Sequence, residues 1–307
     1  MKWTSPFHEG ELKAQRLARE TASAESNSAM IGDKILSGAL NFLRQQSMVI
    51  LSTEDSPGHR WASILFGKPG FLEPSDRQTL HISIPETQRD GSDPLWQNVA
   101  RNPRAGLLVI DLETRRRVRI NGDVRANENE IQVGVTESFA ICPKYITKRK
   151  VKVASTGARD SLSRGATGDA LSQEIQERIR QADVLFLATG HAERGNDASH
   201  RGGNPGFVEV VNERTLRMPD YPGNGMFNAL GNVLCDPSVG LLFPFLSEGL
   251  HLQISAKARI LWDQPDPEGR TGGTHRFVEF IIERWLWRPL PAIVETGMAE
   301  HSPFNPR

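Results

Sequence analysis

The sequence has only two cysteines, no net charge and no long apolar run, and each shortage excludes a class of protein. Cys142 and Cys235 lack the CxxC or Cys/His spacing of a metal site, so the sequence predicts neither a disulfide scaffold nor a metal centre. The 37 Lys+Arg equal the 37 Asp+Glu. A general nucleic-acid binder would carry a basic excess, so no nucleic-acid partner is expected.

The sequence also offers no segment typical of membrane insertion or export. Its longest uncharged apolar stretch, residues 239–246 (VGLLFPFL), is far shorter than the roughly 18 residues of a membrane span, and it contains a proline. The first residues, MKWTSPFHEGELKAQ, bring in acidic charge by residue 9 without the apolar core of a secretory signal. The expected location is therefore the cytoplasm, with no membrane partner.

The most informative feature of the sequence is an internal repeat. Residues 66–73 (FGKPGFLE) resemble residues 202–209 (GGNPGFVE), which lie 136 positions later. Residues 102–108 (NPRAGLL) resemble residues 236–242 (DPSVGLL), at an offset of 134. A period near 135 is too long for a solenoid unit, and in 307 residues it indicates a duplicated domain.

Each copy has the pattern of a small β-barrel. The apolar runs 48–52 (MVILS) and 184–188 (VLFLA) predict buried strands, each preceded by a helical segment. Residues 68–71 (KPGF) and 204–207 (NPGF) place Pro and Gly where a type II turn between strands needs them. Further strands follow each turn with short connections. The total of five or six strands per copy is typical of a small barrel.

Six motifs in order carry a resemblance to a known family. They are FHEGE from residue 7, WASILFGKPGF from 61, TRRRVRING from 114, ICPKYITKR from 141, SHRGGNPGF from 199 and PDYPGNGMFNALGN from 219. Together they resemble the tandem branch of the pyridoxamine 5'-phosphate oxidase-like, FMN-binding split-barrel family. The resemblance implies a mainly β fold with flanking helices (α+β), in which two tandem split β-barrels form a pseudo-dimer within one chain and FMN lies between them.

The resemblance and the repeat together predict the domain limits. These are an N-terminal helical arm over residues 1–33, a first split-barrel repeat over 34–150, a linker over 151–168, a second split-barrel repeat over 169–295 and a tail over 296–307. The oligomeric state stays open between a pseudo-dimeric monomer and a homodimer.

The two copies differ at a matched strand in a way that indicates a ligand site. Copy one reads Ser63-Ile-Leu-Phe-Gly, whereas copy two reads Ser199-His-Arg-Gly-Gly. A strand that exchanges its apolar residues for His, Arg and Gly loses packing, which is expected where an anion or a planar ring approaches. Arg201 is accordingly the first candidate to bind the phosphate of FMN, and the Gly-rich loop at 221–228 is a second possible cradle.

The full set of predicted cofactor-binding residues comes from both copies. It comprises Ser199, His200, Arg201, Gly202, Tyr221, Asn224, Asn228, Trp61, Ser63, Lys144 and Arg149. His200 is also the predicted catalytic residue, as a proton donor or as a hydrogen-bond donor to reduced flavin. The resemblance implies a cation in this loop where the chain has Asn228, so the phosphate charge is expected to fall more heavily on Arg201, or on Lys144, Lys148 and Arg149 from the other copy.

Several of these residues also have a purely structural interpretation. Arg201 and His200 could cap a hairpin, and residues 221–224 (YPGN) could form only a turn. In the run TRRRVR, the expected arrangement has Val118 and Ile120 inside the barrel, with Arg117 and Arg119 facing solvent. A contact from these arginines to phosphate at the barrel interface is the alternative.

The predicted function is that of an FMN-dependent oxidoreductase. Flavin N5 would exchange a hydride with a small-molecule substrate or with an electron donor such as NAD(P)H. One alternative is a flavin- or haem-binding carrier or sensor without turnover, and another is a structural pseudo-dimer that binds no cofactor. Because fold does not determine function, the sequence leaves these alternatives open.

Overall fold

The computed structural model describes residues 5–156 and 165–306. The first half contains α1 (Glu9–Ala18), α2 (Thr21–Ser28), α3 (Leu40–Arg44), β1 (Met48–Glu54), β2 (Arg60–Phe66), β3 (Leu72–Pro74), β4 (Thr79–Ser83), α4 (Pro94–Arg101), β5 (Arg104–Asp111), β6 (Arg116–Ala126) and β7 (Glu130–Ala140). Short 3₁₀ helices span Ser37–Ala39 and Glu86–Gln88.

From its first helix to its second-last strand, the second half repeats the order of α-helices and strands found between α3 and β7 of the first half. Three short strands, the first two and the last, are additional. The second half contains β8 (Val151–Thr156), β9 (Ala166–Gly168), α5 (Gln173–Gln181), β10 (Val184–His191), β11 (Gly195–Gly202), β12 (Glu209–Asn212), β13 (Thr215–Pro219), α6 (Asn228–Cys235), β14 (Ser238–Phe245), β15 (Leu250–Leu261), β16 (Phe277–Pro289) and β17 (Ala292–Thr296). None of the helices in the described ranges is both long enough and apolar enough to span a membrane.

The two halves form sheets of identical topology. The first sheet has the strand order β2-β1-β5-β6-β7-β4-β3, and the second has β11-β10-β14-β15-β16-β13-β12. Each strand of the first order has its counterpart at the same position of the second. The predicted fold of two tandem, mainly antiparallel barrels is thereby confirmed.

The predicted type II turns are also present in both halves. Phe71 N donates to Lys68 O at 2.9 Å, and Phe207 N donates to Asn204 O at the same distance. The glycine at the third turn position has a positive φ in each case, 96° at Gly70 and 88° at Gly206. A type II turn requires this backbone conformation, which glycine adopts without strain.

The central strands are apolar on both faces because each face packs on a different core. In β1, Val49 and Leu51 point into the core of the first barrel, whereas Met48 and Ile50 point at the second barrel. In β10, Leu185 and Leu187 likewise pack in the second barrel's own core, and Phe186 lies in the interface. Burial on both faces explains why these runs show no alternation of apolar and polar residues.

The interface between the barrels is a third apolar core. It joins the outer faces of β1, β2 and β5 to those of β10, β11 and β14. Two matched glycines allow the backbones to approach closely. A Cβ on Gly106 would lie 2.2 Å from Asn196 O, and one on Gly240 would lie 2.8 Å from Ala62 N. The pseudo-dimer is therefore packed as tightly as a domain interior.

Three segments outside the barrels make contacts that the sequence did not predict. The predicted linker contains β8, which pairs with β17, and β9, which pairs with β16; its residues 157–164 lie outside the described part of the chain. In the predicted tail, Glu300 pairs with Lys148, and Ser302 is buried and accepts a hydrogen bond from Tyr145 N. The helix α1 precedes the first barrel but packs on α6 of the second. There a Cβ on Gly10 would lie 2.2 Å from Gly231 O.

Candidate functional site

A cleft opens between the barrels, and we call it the open cleft. Its empty volume is about 970 Å³, including the space open to solvent. Its walls are β6 and residues 139–145 of the first barrel, β11 and residues 218–230 of the second, and three further residues, Glu20, Phe207 and Arg276.

Three arginines meet at the inner end of the open cleft. Arg119 of β6 reaches across the interface and donates to Ser199 Oγ at 2.5 Å. Arg117 of the same strand donates to Cys142 O at 2.9 Å, and Arg201 of β11 donates to His200 O at 3.1 Å. All three of these hydrogen bonds are to neutral oxygens, which do not compensate the positive charge of the three arginines.

The electrostatics of the three arginines reflect this crowding. Burial, followed by the positive charges of Arg201 and Arg119, lowers the pKa of Arg117 to about 9. Burial likewise lowers the pKa of Arg201, with Asp220 opposing the shift. The nearest carboxylate to Arg119 is Asp197, whose Oδ1 lies 3.6 Å from Nη1. Like charges held together in a partly dry cleft are stabilised when an anion binds among them.

Two buried side chains in the cleft wall have polar atoms with no hydrogen-bond partner. Arg119 is 4% exposed, and its Nε and Nη1 have none. His200 is also 4% exposed, and neither ring nitrogen has one. Buried polar atoms are normally satisfied, so two such groups in one cavity indicate that a ligand supplies the missing partners.

His200 is neutral in this setting. Burial holds its pKa well below 6.5, and the charges of Arg117, Arg201 and Arg149 push it in the same direction. Its ring packs edge-on against Phe186, with centroids 5.7 Å apart. A neutral imidazole has one N–H donor and one acceptor, and here both are available to a ligand.

The outer part of the open cleft is apolar and aromatic. The lining side chains of this kind are Phe139, Ile141, Phe207, Met218, Phe227 and Leu230. At the mouth, the rings of Tyr145 and Tyr221 lie 4.8 Å apart, and Tyr145 Oη donates to Pro222 O at 2.8 Å. Arg276 is neutralised by Asp220 at 3.0 Å and by Glu20 at 3.2 Å. Such a wall suits a flat ring system.

The loop over the cleft, residues 219–227, is held by the N-terminal arm. Asn27 Nδ2 and Ser23 Oγ both donate to Asn224 O, at 2.9 and 3.3 Å. Gln15 Nε2 donates to Met226 O at 3.2 Å. At the start of α6, Asn228 Nδ2 donates to Glu11 Oε1 at 2.5 Å. The arm thus forms part of the framework of the site.

The open cleft contains eight of the eleven predicted cofactor-binding residues. They are Lys144, Ser199, His200, Arg201, Gly202, Tyr221, Asn224 and Asn228. Asn228 differs in role from the prediction because its side-chain amide donates to Glu11 of the arm.

The other three predicted residues lie outside the open cleft. Trp61 Nε1 donates to Asp55 at 3.1 Å, and Ser63 Oγ donates to Asp93 at 2.6 Å, both in the first barrel. Arg149 forms an ion pair with Asp183. Trp61 and Ser63 lie on β2, the strand of the first barrel that corresponds to β11 in the cleft wall, and not in the cleft itself. Arg149 is already paired.

The sequence analysis misplaced two arginines that are central to the cleft. Val118 and Ile120 do point into the first barrel, as predicted. The opposite face of β6, however, points at the second barrel and not at solvent, so Arg117 is 9% exposed and Arg119 is 4% exposed. The internal repeat could have indicated this burial, because the outer face of one barrel in a tandem pair can pack against the other barrel.

A second polar group joins the arm to the second barrel. It consists of His8, Glu9, His191 and Cys235. The Nδ1 atoms of His8 and His191 accept from the backbone N–H groups of Gly10 and Glu193, both at 3.2 Å. Because each Nδ1 accepts, each ring carries its proton on Nε2, and His191 Nε2 lies 3.0 Å from Glu9 Oε1. A metal would need those Nε2 lone pairs, so this arrangement fits a helix cap and not a metal centre.

A family model and several solved structures match part of the chain. No curated protein matches it. Among solved structures, a point variant of HupZ from Group A Streptococcus is 14% identical, covering 38% of this chain and 98% of that one, with a TM-score of 0.32. A candidate pyridoxamine 5'-phosphate oxidase from Lactobacillus delbrueckii is 18% identical, covering 38% and 94%, with a TM-score of 0.31.

A third structure comes from Clostridium acetobutylicum and is related to general stress protein 26 of B. subtilis. It is 12% identical, covering 40% of this chain and 91% of that one, with a TM-score of 0.30. The sequence profile of the family described as Pyridoxamine 5'-phosphate oxidase matches residues 38–148, which contain the whole first sheet. The first barrel therefore matches the pyridoxamine 5'-phosphate oxidase family over residues 38–148.

Proposed function

We propose that the chain binds FMN in the open cleft and acts as an FMN-dependent oxidoreductase. The observation that carries the proposal is the group of three arginines, among which Arg119 has unsatisfied donors, beside a neutral His200 and next to an aromatic wall. The family match supports a flavin-binding protein as the class, and FMN is the specific ligand proposed.

The residues of the open cleft fit the two ends of FMN. A phosphate monoester carries close to two negative charges at neutral pH, and charge-assisted hydrogen bonds from arginine are the strongest that a side chain offers it. Arg119 and Arg201 would hold the phosphate, and Arg117 would add to the positive field. The apolar wall with Phe207 and Phe227 would hold the ring system.

Bound flavin supplies a centre at N5 that accepts or gives a hydride. The protein's own residues then bind and orient. His200 is neutral and can donate one hydrogen bond to the ligand and accept another, which suits stabilisation of ligand charge better than release of a proton from an imidazolium. The tyrosine pair at the mouth and the loop held by the arm limit access of water to the inner cleft.

The substrate and the electron donor are the open part of the proposal, and NAD(P)H is the donor to test first. The visible absorption spectrum of the purified protein, followed by titration of the stripped protein with FMN, tests binding. Anaerobic bleaching by NAD(P)H and recovery of the colour in air would support an oxidoreductase. A bound flavin that NAD(P)H and candidate substrates leave unchanged would identify a carrier instead, and a protein that binds no FMN would refute the proposal.

Arg201→Ala tests where the phosphate lies. Loss of one charge-assisted contact is expected to raise the Kd for FMN by roughly 10- to 100-fold. The matched control is Arg214→Ala, because Arg214 is an exposed arginine of the same barrel that pairs with Asp169. Equal Kd values for wild type and Arg201→Ala would remove Arg201 from the site.

A further inference from the structure

The pseudo-symmetry of the chain creates a counterpart of the open cleft, which we call the twin cleft. Residues 63–66 (Ser-Ile-Leu-Phe) occupy there the positions that residues 199–202 (Ser-His-Arg-Gly) occupy in the open cleft. The twin cleft is lined by Ile64, Leu65 and Phe66, and its empty volume is about 360 Å³. It is therefore less than half as large as the open cleft.

The strand registers extend the match to the opposite wall. Leu107 pairs with Ile120 in the first barrel, and Leu241 pairs with Ile254 in the second, so Arg119 corresponds to Gln253 and Arg117 to His251. The corresponding residues also make corresponding hydrogen bonds. Gln253 Nε2 donates to Ser63 Oγ at 3.1 Å, just as Arg119 donates to Ser199 Oγ. The two clefts are built on one frame.

The charges of the two clefts are opposite in arrangement. The three arginines of the open cleft are replaced in the twin cleft by His251, Gln253 and Leu65. Two carboxylates, Asp90 and Asp93, lie in the twin cleft instead. An anion that entered there would lie beside these two carboxylates as well as Arg89, whereas an anion that enters the open cleft would lie beside three arginines.

One cation from the second barrel fills the twin cleft. Arg288 of β16 is 4% exposed. Its Nη1 donates to Asp90 Oδ2 at 2.8 Å and to Ser92 Oγ at 2.9 Å, and its Nη2 donates to Asp93 Oδ2 at 2.8 Å. By the strand register the corresponding residue beside the open cleft is Ile141, an apolar residue in the cleft wall. Arg288 thus links the two barrels in the twin cleft, whereas Ile141 makes no such link at the matched position of the open cleft.

We infer that the chain divides two roles between its equivalent clefts: the open cleft takes one anionic ligand, and Arg288 makes the twin cleft a closed structural joint. Only the identity of that ligand as FMN rests on the proposed function. The inference follows from the contrast between three arginines that bond neutral oxygens in one cleft and one arginine that bonds two carboxylates in the other.

Exchanging residues between the clefts tests the inference without any ligand. Arg288→Ile leaves Asp90 and Asp93 without their cation, so the Tm of the ligand-free protein should fall by at least about 5 °C. Arg201→Leu removes a crowded charge and installs the residue of the twin cleft, so the ligand-free Tm should stay constant or rise. A large fall for Arg201→Leu, or no fall for Arg288→Ile, would overturn the inference.

A second pair of variants covers the case in which Arg288→Ile does not fold. Adding Asp93→Asn to Arg288→Ile removes one of the two orphaned charges and keeps the cap of α4, because Asn caps helices as well as Asp does. The double variant should recover part of the lost Tm. Arg288→Lys keeps the charge with fewer donors and should lie between wild type and Arg288→Ile. No recovery in the double variant would contradict the closed ion-pair network.

Stoichiometry is the final test, with FMN as the probe and quenching of its fluorescence as the readout. One FMN per chain is expected, and Arg288→Lys should leave that number at one. Two FMN per chain would overturn the inference while supporting the proposed function. No binding would refute the proposed function, and the Tm comparison of the exchange variants would then decide the inference alone.

Discussion

Arg119 has buried donors that lower the stability of the ligand-free protein and that a ligand in the open cleft could satisfy. A buried guanidinium normally has all its donors satisfied, because leaving one without a partner costs free energy. Arg119 Nη2 donates to Ser199, and Nη1 forms an ion pair with Asp197 at 3.6 Å, but neither Nη1 nor Nε has a hydrogen-bond partner. Sites built for a ligand commonly carry such a cost in the empty state.

Arg119→Gln is the sharpest change at this residue because Gln stands at the matched position 253. The amide can keep the hydrogen bond to Ser199, as Gln253 keeps the one to Ser63. Only the charge is then lost, and the Kd for FMN should rise by roughly 10- to 100-fold. Arg125→Gln, an exposed change on the same strand, is the control for charge at a distance. Equal effects of the two variants would refute a direct contact.

Glu11 gives a prediction about pH. Burial raises its pKa to about 8 from an ordinary 4.5, and the nearby charges of Asp197 and Glu137 act in the same direction. In the unfolded chain Glu11 loses its proton near pH 4.5, whereas the folded protein keeps it up to about pH 8. The stability that Glu11 contributes is therefore complete below pH 4.5 and is lost as the pH rises through 8.

Glu11→Gln imitates the protonated side chain and removes this dependence. Measured from pH 5.5 to 8, unfolding free energies should favour the variant over wild type by an increasing margin, approaching about 1.4 kcal/mol for each pH unit. Glu25→Gln, on the exposed side of the arm, should follow the wild-type curve. Parallel curves for wild type and Glu11→Gln would mean that Glu11 is ionised in the folded protein.

At the scale of elements, the arm explains why the two clefts differ. The chain has two barrels but one arm, and the arm holds the loop of the second barrel through Gln15, Ser23 and Asn27. The apolar contacts of Ala24 and Met226 in a separate small core reinforce this attachment. An element that precedes the first barrel thus completes a site that the second barrel begins.

Gly225→Ala tests the contact between arm and loop. Gly225 has a φ of 73°, and a Cβ there would lie 2.9 Å from Ser23 Cβ and 3.1 Å from Ala24 N. Gly206 has a φ of 88° with open space around it, so Gly206→Ala reports the backbone strain alone. Gly225→Ala should cost roughly 1–2 kcal/mol more than the control and should weaken FMN binding, which the control leaves unchanged. Identical losses of stability would argue against a close contact with the arm.

At the scale of the whole molecule, the repeat predicted the architecture because local patterns encode it. The NPGF turns and the runs MVILS and VLFLA are short-range signals, and each forms the predicted turn or strand. The cleft was predictable where its residues differ between copies, as at His200 and Arg201. Arg117 and Arg119 were not, since a strand pattern separates inside from outside but does not say that the outside is covered by a second barrel.

The contact between arm and loop could not be read from the sequence either. Asn27 and Asn224 are almost 200 residues apart, and single polar residues in each segment carry no pairing code. The same limit applied to Trp61 and Ser63. The resemblance assigned both to the site, but Phe66 and Leu65 fill the space that a ligand would need there. Long-range packing decides which of two similar positions is open.

The shared interface core predicts that both barrels unfold together. The outer faces of β1, β2 and β5 are buried only while the second barrel stays folded, so a lone barrel would expose an apolar sheet face. Three buried leucines separate the possibilities, because Leu107 lies in the first core, Leu241 in the second and Leu108 in the interface. Each Leu→Ala change should cost roughly 2–5 kcal/mol.

Differential scanning calorimetry of these three variants gives the readout. One transition, shifted to lower temperature in all three, is expected because loss of either barrel's packing removes the support of the other. Independent barrels would instead give two transitions, with Leu107→Ala lowering one and Leu241→Ala lowering the other. In that case Leu108→Ala would change little, since an interface that does not couple the barrels contributes little to the stability of either.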